Sequence, residues 1–314
     1  MRRLLRANVL SGVVFLVAFA SFPADTLAQR ARQGLLTLED ARLFYEVVGT
    51  GDPIVVVHGG PGLDHVYLRP GLDALATRHT VIYYDQRGTG RSTAELVESA
   101  INIRAFVDDI EALRQVLGYG QISVLGHSFG SLIALDYAVR YPENLKALIL
   151  MNPVEPGSRY QEETATRQRE RMTERDAAEM EELRATEGFA ARDPATLSQV
   201  YRIAFRQTLR DRELIGQLNL DLASTTAKNG QDVARLLGVS LGTVDWWDKI
   251  PQIMVPTLVL HGRYDTFPVD MSRELAEAFP VGTFEVLNSG HFPYLEDRDG
   301  LLSAISGFFA GLGR

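Results

Sequence analysis

A serine framed by glycines, Gly126-His127-Ser128-Phe129-Gly130, stands between a β-branched run, Ile122 to Leu125, and an apolar helical run, Leu132 to Ala138. A strand that turns sharply into a helix strains the residue at the corner, needs small residues two positions to either side, and lifts the corner side chain clear of the sheet. Ser128 is therefore a candidate nucleophile, set against the bland reading of a Gly-rich turn. A hydroxyl attacks a carbonyl only when a neutral base takes its proton, and the chain has six histidines to supply one. His291, in Asn288-Ser289-Gly290-His291 after the last β-branched run, fits best. His58, His79 and His261 fall at strand ends and read as structural, while His65 and His127 are candidates for pocket or packing positions. The base needs an acid to fix its tautomer. Asp265, closing Leu258-Val259-Leu260-His261-Gly262-Arg263-Tyr264-Asp265, is placed for that role ahead of Asp270, which reads as a helix cap, and Glu155.

A tetrahedral intermediate also needs donors for its oxyanion. His58-Gly59-Gly60-Pro61-Gly62 follows the run Ile54 to Val57, and its glycines let amides approach a ligand closely. Pairing the amides of Gly60 and Phe129 would make an oxyanion hole, where losing one donor costs roughly 3 to 4 kcal/mol. A phosphate loop is the rival, but no Lys-Ser/Thr pair follows the glycines. With no H-x-x-x-H spacing and no Cys, no metal centre or cofactor is expected, and disulfides and a thiol nucleophile are excluded.

Buried-strand runs recur at Ile54 to Val57, Val81 to Tyr84, Ile122 to Leu125, Ala147 to Met151, Thr257 to Leu260 and Phe284 to Leu287. Between them Phe106, Ile110, Leu113 and Leu117, or Leu301, Ile305 and Phe308, repeat at helical spacing. The alternation predicts an α/β fold with a mostly parallel central sheet flanked by helices. Leu35 to Glu39 and Arg42 to Val48 alternate like a half-exposed hairpin and predict an antiparallel edge. From Glu155 to Ile250 the strand pattern stops, and charges of alternating sign leave a thin apolar stripe through Met172, Met180 and Leu183. We read residues 29–154 and 251–314 as two parts of one core, and 155–250 as an inserted helical cap over the site rather than a plain solvated face.

The 314-residue chain has a formal charge of -8 and 46% hydrophobic residues, enough for a full core. Arg2, Arg3 and Arg6 precede an uncharged apolar stretch, Val9 to Phe22, which is followed by a short polar stretch ending in small residues. This is the layout of a cleaved export signal over residues 1–28, and its apolar stretch of 14 residues falls short of the roughly 20 that a spanning helix needs. Cleavage after Ala28, or after Ala24, would send the protein to the periplasm or outside the cell with no stable membrane association. A mature chain starting at Gln29 loses Arg2, Arg3, Arg6 and Asp25, keeps 29 basic and 39 acidic side chains, and carries -10. Such a surface repels nucleic acid. The expected partner is a small-molecule or short-peptide substrate.

With its glycine loop, its elbow, Gly290-His291, and Asp85-Gln86-Arg87-Gly88-Thr89-Gly90-Arg91-Ser92, the chain resembles the proline iminopeptidase group of α/β-hydrolase serine peptidases over most of residues 35 to 310. The resemblance implies the α/β-hydrolase fold, the triad Ser128, Asp265 and His291, and a scaffold role for Asp85 and Arg87. It implies removal of an amino-terminal residue from small peptides. Two departures stand out: His127 precedes the nucleophile where the group often has Gly, and the cap ends in Asp245-Trp246-Trp247-Asp248 rather than an aromatic-rich motif closing on Glu. No amine-binding Glu is carried over, and Trp246 joins His65 and His127 as a candidate pocket residue. A carboxylesterase acting on small or medium esters and a ligand-binding protein without activity are the alternatives.

Overall fold

The computed structural model describes residues 31–242 and 244–313. The segment read as an export signal lies outside the described residues. Among the described residues there are nine strands: β1 (Arg32–Thr37), β2 (Ala41–Val48), β3 (Asp52–Val57), β4 (His79–Tyr84), β5 (Thr93–Ala94), β6 (Ile122–His127), β7 (Leu145–Met151), β8 (Thr257–Gly262) and β9 (Gly282–Leu287). They form one sheet in the order β1-β2-β4-β3-β6-β7-β8-β9, with β5 paired to β2. Strands β1, β2 and β5 run antiparallel, and every pairing from β4 to β9 is parallel. The hairpin edge and all six runs form strands, although β1 starts three residues before Leu35 and ends two before Glu39. Five of the runs are buried as expected; β9 is corrected to a half-exposed strand, because it closes the far edge of the sheet and only Leu287 of it is buried.

The runs in β3, β4, β6, β7 and β8 are apolar without alternation because both faces of the sheet are covered there. Val55, Val57, Ile82, Val124, Leu148 and Val259 point into one core, and Ile54, Val56, Val81, Leu125, Ile149 and Leu258 into the other. The longer helices are α1 (Ile103–Val116), α2 (Gly130–Arg140), α3 (Gln161–Arg171), α4 (Glu174–Arg184), α5 (Pro194–Arg206), α6 (Ser224–Leu241), α7 (Val269–Ala278) and α8 (Arg298–Leu312). Helix α1 starts at Asn102, whose side chain accepts the Ala105 amide, and buries Phe106, Val107, Ile110 and Leu113 with α2 in the first core. Helix α8 closes the second through Leu301 and Ile305.

Helices α3 to α6 fill the expected insertion, and they differ among themselves. Helix α3 buries only Thr164, and α4 only Asp176 and Met180. Helix α6 instead sends Val233, Leu236 and Leu237 into the first core. It is also pinned to the core loops: Thr226 Oγ1 donates to Asp64 and accepts from the Gly90 amide, both at 2.8 Å, and Asn229 donates to the Gly88 carbonyl. Residues 31–314 make one compact unit, so the insertion has no separate core of its own.

Candidate active site

Strand β6 ends at His127, and Ser128 follows with φ of 53°, a left-handed conformation that L residues rarely adopt. The turn is held because the Ser128 amide donates to the Met151 carbonyl, while its own carbonyl accepts from the Ser131 amide and hydroxyl. A Cβ on Gly126 would stand 2.6 Å from the Gly130 carbonyl oxygen, and one on Gly130 would stand 2.6 Å from that of His58. The glycines are thus a steric requirement of the corner.

The carboxyl ends of β7, β8 and β9 assemble the remaining groups. Asp265 Oδ2 lies 2.7 Å from His291 Nδ1; a carboxylate accepts, so Nδ1 carries the proton and Nε2 is left bare as a base. The same oxygen accepts from Asn152 Nδ2 at 2.7 Å, and Oδ1 accepts from the Phe267 amide at 3.3 Å. Burial works to raise the Asp265 pKa, but the His291 imidazole, then His261 and Asn152, outweigh it and hold the carboxyl at about 2. Of the rival acids, Glu155 accepts from the Tyr160 amide, and Asp270 lies on the surface, 3.8 Å from Arg273.

Asn152 is a residue that sequence reasoning missed. It follows β7 directly, is fully buried with φ of 47°, and ties Asp265 to the Gly290 carbonyl at 3.1 Å. The available signal was an amide side chain ending a buried apolar strand beside the acid's strand.

Two segments of the insertion reach this edge. The His291 amide donates to the Thr208 carbonyl at 2.9 Å, and Arg171 donates to the carbonyls of Tyr264 and Leu209, the latter at 2.5 Å. On the other side, β3 delivers Gly60 with φ of 52°, and Phe129 caps helix α2 beside Ser128.

The three candidate pocket residues are corrected. His65 is 3% exposed and hydrogen-bonds Asp85 through Nδ1 at 2.6 Å, with Nε2 3.6 Å from Glu46. Burial works to lower its pKa, but Asp85 and Glu46 outweigh that and push it up to about 9. His65 is an imidazolium inside a buried ionic knot and presents no free nitrogen to substrate. His127 is fully packed, with one ring nitrogen on Tyr67 and the other on the His291 carbonyl. Trp246 belongs to the first core, its indole donating to Asp136 at 3.3 Å. For His127 the packing alternative holds; His65 and Trp246 are turned away because sequence proximity to a site does not say which way a side chain faces. Arg87 is scaffold, paired with Asp109 through two bonds of 2.8 Å and with Asp40. His58 is likewise internal: it accepts the Gln86 amide, and burial lowers its pKa to about 4.

Comparison with known proteins agrees with this architecture. The profile of the alpha/beta hydrolase fold matches residues 52–298. A proline iminopeptidase from Heyndrickxia coagulans is 27% identical over 290 residues, which is 88% of this chain and 98% of that protein. Among solved structures, the proline iminopeptidase of Mycobacterium smegmatis superposes with a TM-score of 0.69 at 23% identity, over 90% of this chain and 98% of that one. A thermophilic esterase from Thermogutta terrifontis, with malate bound, reaches 0.68 at 26% identity, over 90% of this chain and 99% of that one. A parallel sheet that gathers an elbow serine, a buried aspartate-histidine pair and a glycine loop at one edge, together with a profile match over most of its length, makes this chain a serine hydrolase belonging to the α/β-hydrolase fold family.

Proposed function

We propose that Ser128, His291 and Asp265 act as a triad in an aminopeptidase that removes an amino-terminal residue from short peptides. Ser128 attacks the carbonyl as His291 takes its proton. The amides of Gly60 and Phe129 hold the oxyanion, and His291 returns the proton to the leaving amine; water then releases the acyl group by the same route. Asp265 keeps the imidazole in its Nδ1–H tautomer throughout.

The observation that favours an amine-bearing substrate is an acidic cavity of about 680 Å³ between the segment leaving β7, helix α3 and the turn after α6. Among the described residues its charged lining is Glu155 and Asp245, and its wall includes Phe267, whose ring centroid is 5.5 Å from that of His291. Thr164 Oγ1, buried in the same wall, has no hydrogen-bond partner among the described residues. An ammonium entering a partly dry site requires such carboxylates, because an unpaired charge there is costly. Burial first, and then the nearby Asp245, raises the Glu155 pKa. The similarity to an esterase at 26% identity supports a second reading, a carboxylesterase using the same triad.

The test compares alanyl and prolyl arylamides, free and acetylated, with aryl esters. Turnover of the free-amine arylamides that acetylation abolishes, with a raised KM in Glu155→Gln, is the expected result; turnover of esters alone overturns the peptidase and leaves the esterase. A fluorophosphonate should label the wild type and spare Ser128→Ala. Export is proposed on the basic, apolar and small-residue order of residues 1–28, and protein recovered from an exported fraction should begin near Gln29.

A further inference from the structure

Three loops must keep register for the proposed chemistry: the glycine loop with Gly60, the elbow with Ser128, and the loop with His291. One hydrogen-bond chain joins them. The Gly59 amide meets the Tyr67 hydroxyl at 2.7 Å, that hydroxyl meets His127 Nδ1 at 2.8 Å, and His127 Nε2 meets the His291 carbonyl at 2.9 Å.

The direction of every proton in it is fixed by its two ends. A carbonyl only accepts, so His127 Nε2 carries a hydrogen. Burial and then the nearby His291 lower the His127 pKa to about 3, so the ring is neutral and Nδ1 is a bare acceptor. Only the Tyr67 O–H can donate to it. The phenol oxygen is then free to accept from Gly59, whose amide can only donate. The chain runs one way, from Gly59 through Tyr67 and His127 to His291, with every group satisfied.

The surroundings leave it no slack. Tyr67 is 3% exposed and His127 is 1% exposed. Phe292 packs edge-on to both Tyr67 and His291, with centroids 6.2 and 5.2 Å away. A Cβ on Gly59 would stand 2.6 Å from Ser128 Cβ and 3.1 Å from the Tyr67 hydroxyl, so the glycine loop lies directly against the elbow. The His291 backbone is held on both sides, its amide by Thr208 and its carbonyl by His127.

We propose that Tyr67 and His127 are positioning residues that set the distance between oxyanion donors, nucleophile and base through this single directed chain. Both act through backbone groups, Tyr67 on the Gly59 amide and His127 on the His291 carbonyl, and the His127 ring packs 4.9 Å from that of His291, centroid to centroid. The proposal rests on the triad reading above and extends it to two residues outside the triad.

The test uses the full-length enzyme with an aryl ester or arylamide that it turns over. Tyr67→Phe removes one oxygen and should lower kcat on the order of 10- to 100-fold with KM nearly unchanged, because small misplacement of reacting groups acts on the chemical step. His127→Phe should do the same. His127→Gln, whose amide can still donate to the His291 carbonyl, should recover part of the loss. The double variant Tyr67→Phe/His127→Phe should be no slower than His127→Phe alone, since both cut one chain. Nitrogen NMR of His127 should report the neutral Nε2–H tautomer. Wild-type kcat in both single variants, losses that multiply in the double, or the Nδ1–H tautomer would each overturn the chain. If His127→Phe fails to fold, Tyr67→Phe with an unchanged thermal transition carries the test alone. Ser128→Ala separates the two readings: labelling that persists there sinks the triad. Labelling lost there, but at wild-type rate in Tyr67→Phe and His127→Phe, sinks only the positioning chain.

Discussion

Charged side chains serve opposite ends in two parts of this molecule. Beneath the proposed catalytic edge lie two buried ionic clusters, Glu46 with His65 and Asp85, and Arg87 with Asp109, whose members are all at most 4% exposed. Along α3 and α4, Arg167 pairs with Glu163 and Arg175 with Glu179 across one helical turn, with both arginines well exposed. A buried pair taken apart strands a charge in a poor solvent, whereas an exposed pair gives its partners back to water. The first region fixes loops that carry the site; the second keeps the insertion soluble and helical. Asp176 is the exception, a carboxylate in α4 that is 1% exposed and anchored by Arg206 and Arg212.

The largest effect should come from Arg87→Ala, which leaves Asp109 buried without its two guanidinium bonds. A loss of about 3 to 5 kcal/mol in denaturant unfolding is expected. A change under about 1 kcal/mol would erase the contrast between the regions.

His65→Gln tests the other buried cluster through pH. In the folded protein the imidazole is raised from 6.5 to about 9, so its contribution is complete below about pH 6.5 and is lost as pH climbs through about 9. The wild type should lose up to about 3 kcal/mol over that window. The variant should lose that slope, and equal slopes in the two proteins would place the charge elsewhere.

Asp176→Ala removes a capping box with Thr173 and two arginine partners from the insertion. A loss of roughly 1 to 2 kcal/mol is expected, between the two extremes. A cost matching that of Arg87→Ala would show that the insertion is held as firmly as the core. Arg167→Ala should change stability by less than about 0.5 kcal/mol, and that little only at low salt. A larger effect would mean that α3 depends on its surface pairs.

Much of this was legible in the chain before any coordinates. Six strands, their parallel sense, the antiparallel hairpin and the insertion followed from runs and gaps in hydrophobic pattern, because a sheet covered on both faces writes itself as unbroken apolar runs. Ser128 could be singled out because the glycines at 126 and 130 are demanded by local sterics, and His291 and Asp265 because each lies in the loop just after a strand at the same edge. Strand β5, two residues long, carried too little pattern to be seen.

The rest depends on which segments become neighbours. Asn152 meets Asp265 only because β7 lies beside β8, and Glu155 and Asp245 line one cavity only because the end of the insertion returns beside the segment that leaves β7, where the Trp246 amide donates to the Pro156 carbonyl. His65, His127 and Trp246 have the composition of pocket residues, yet each is turned inward by a partner far along the chain: Asp85, His291 and Asp136. Local sterics and periodicity act over a few residues and are written in the sequence itself. The direction a side chain faces, and whether its charge is kept, is decided by desolvation and by hydrogen-bond partners that only the packed sheet and its loops bring within reach.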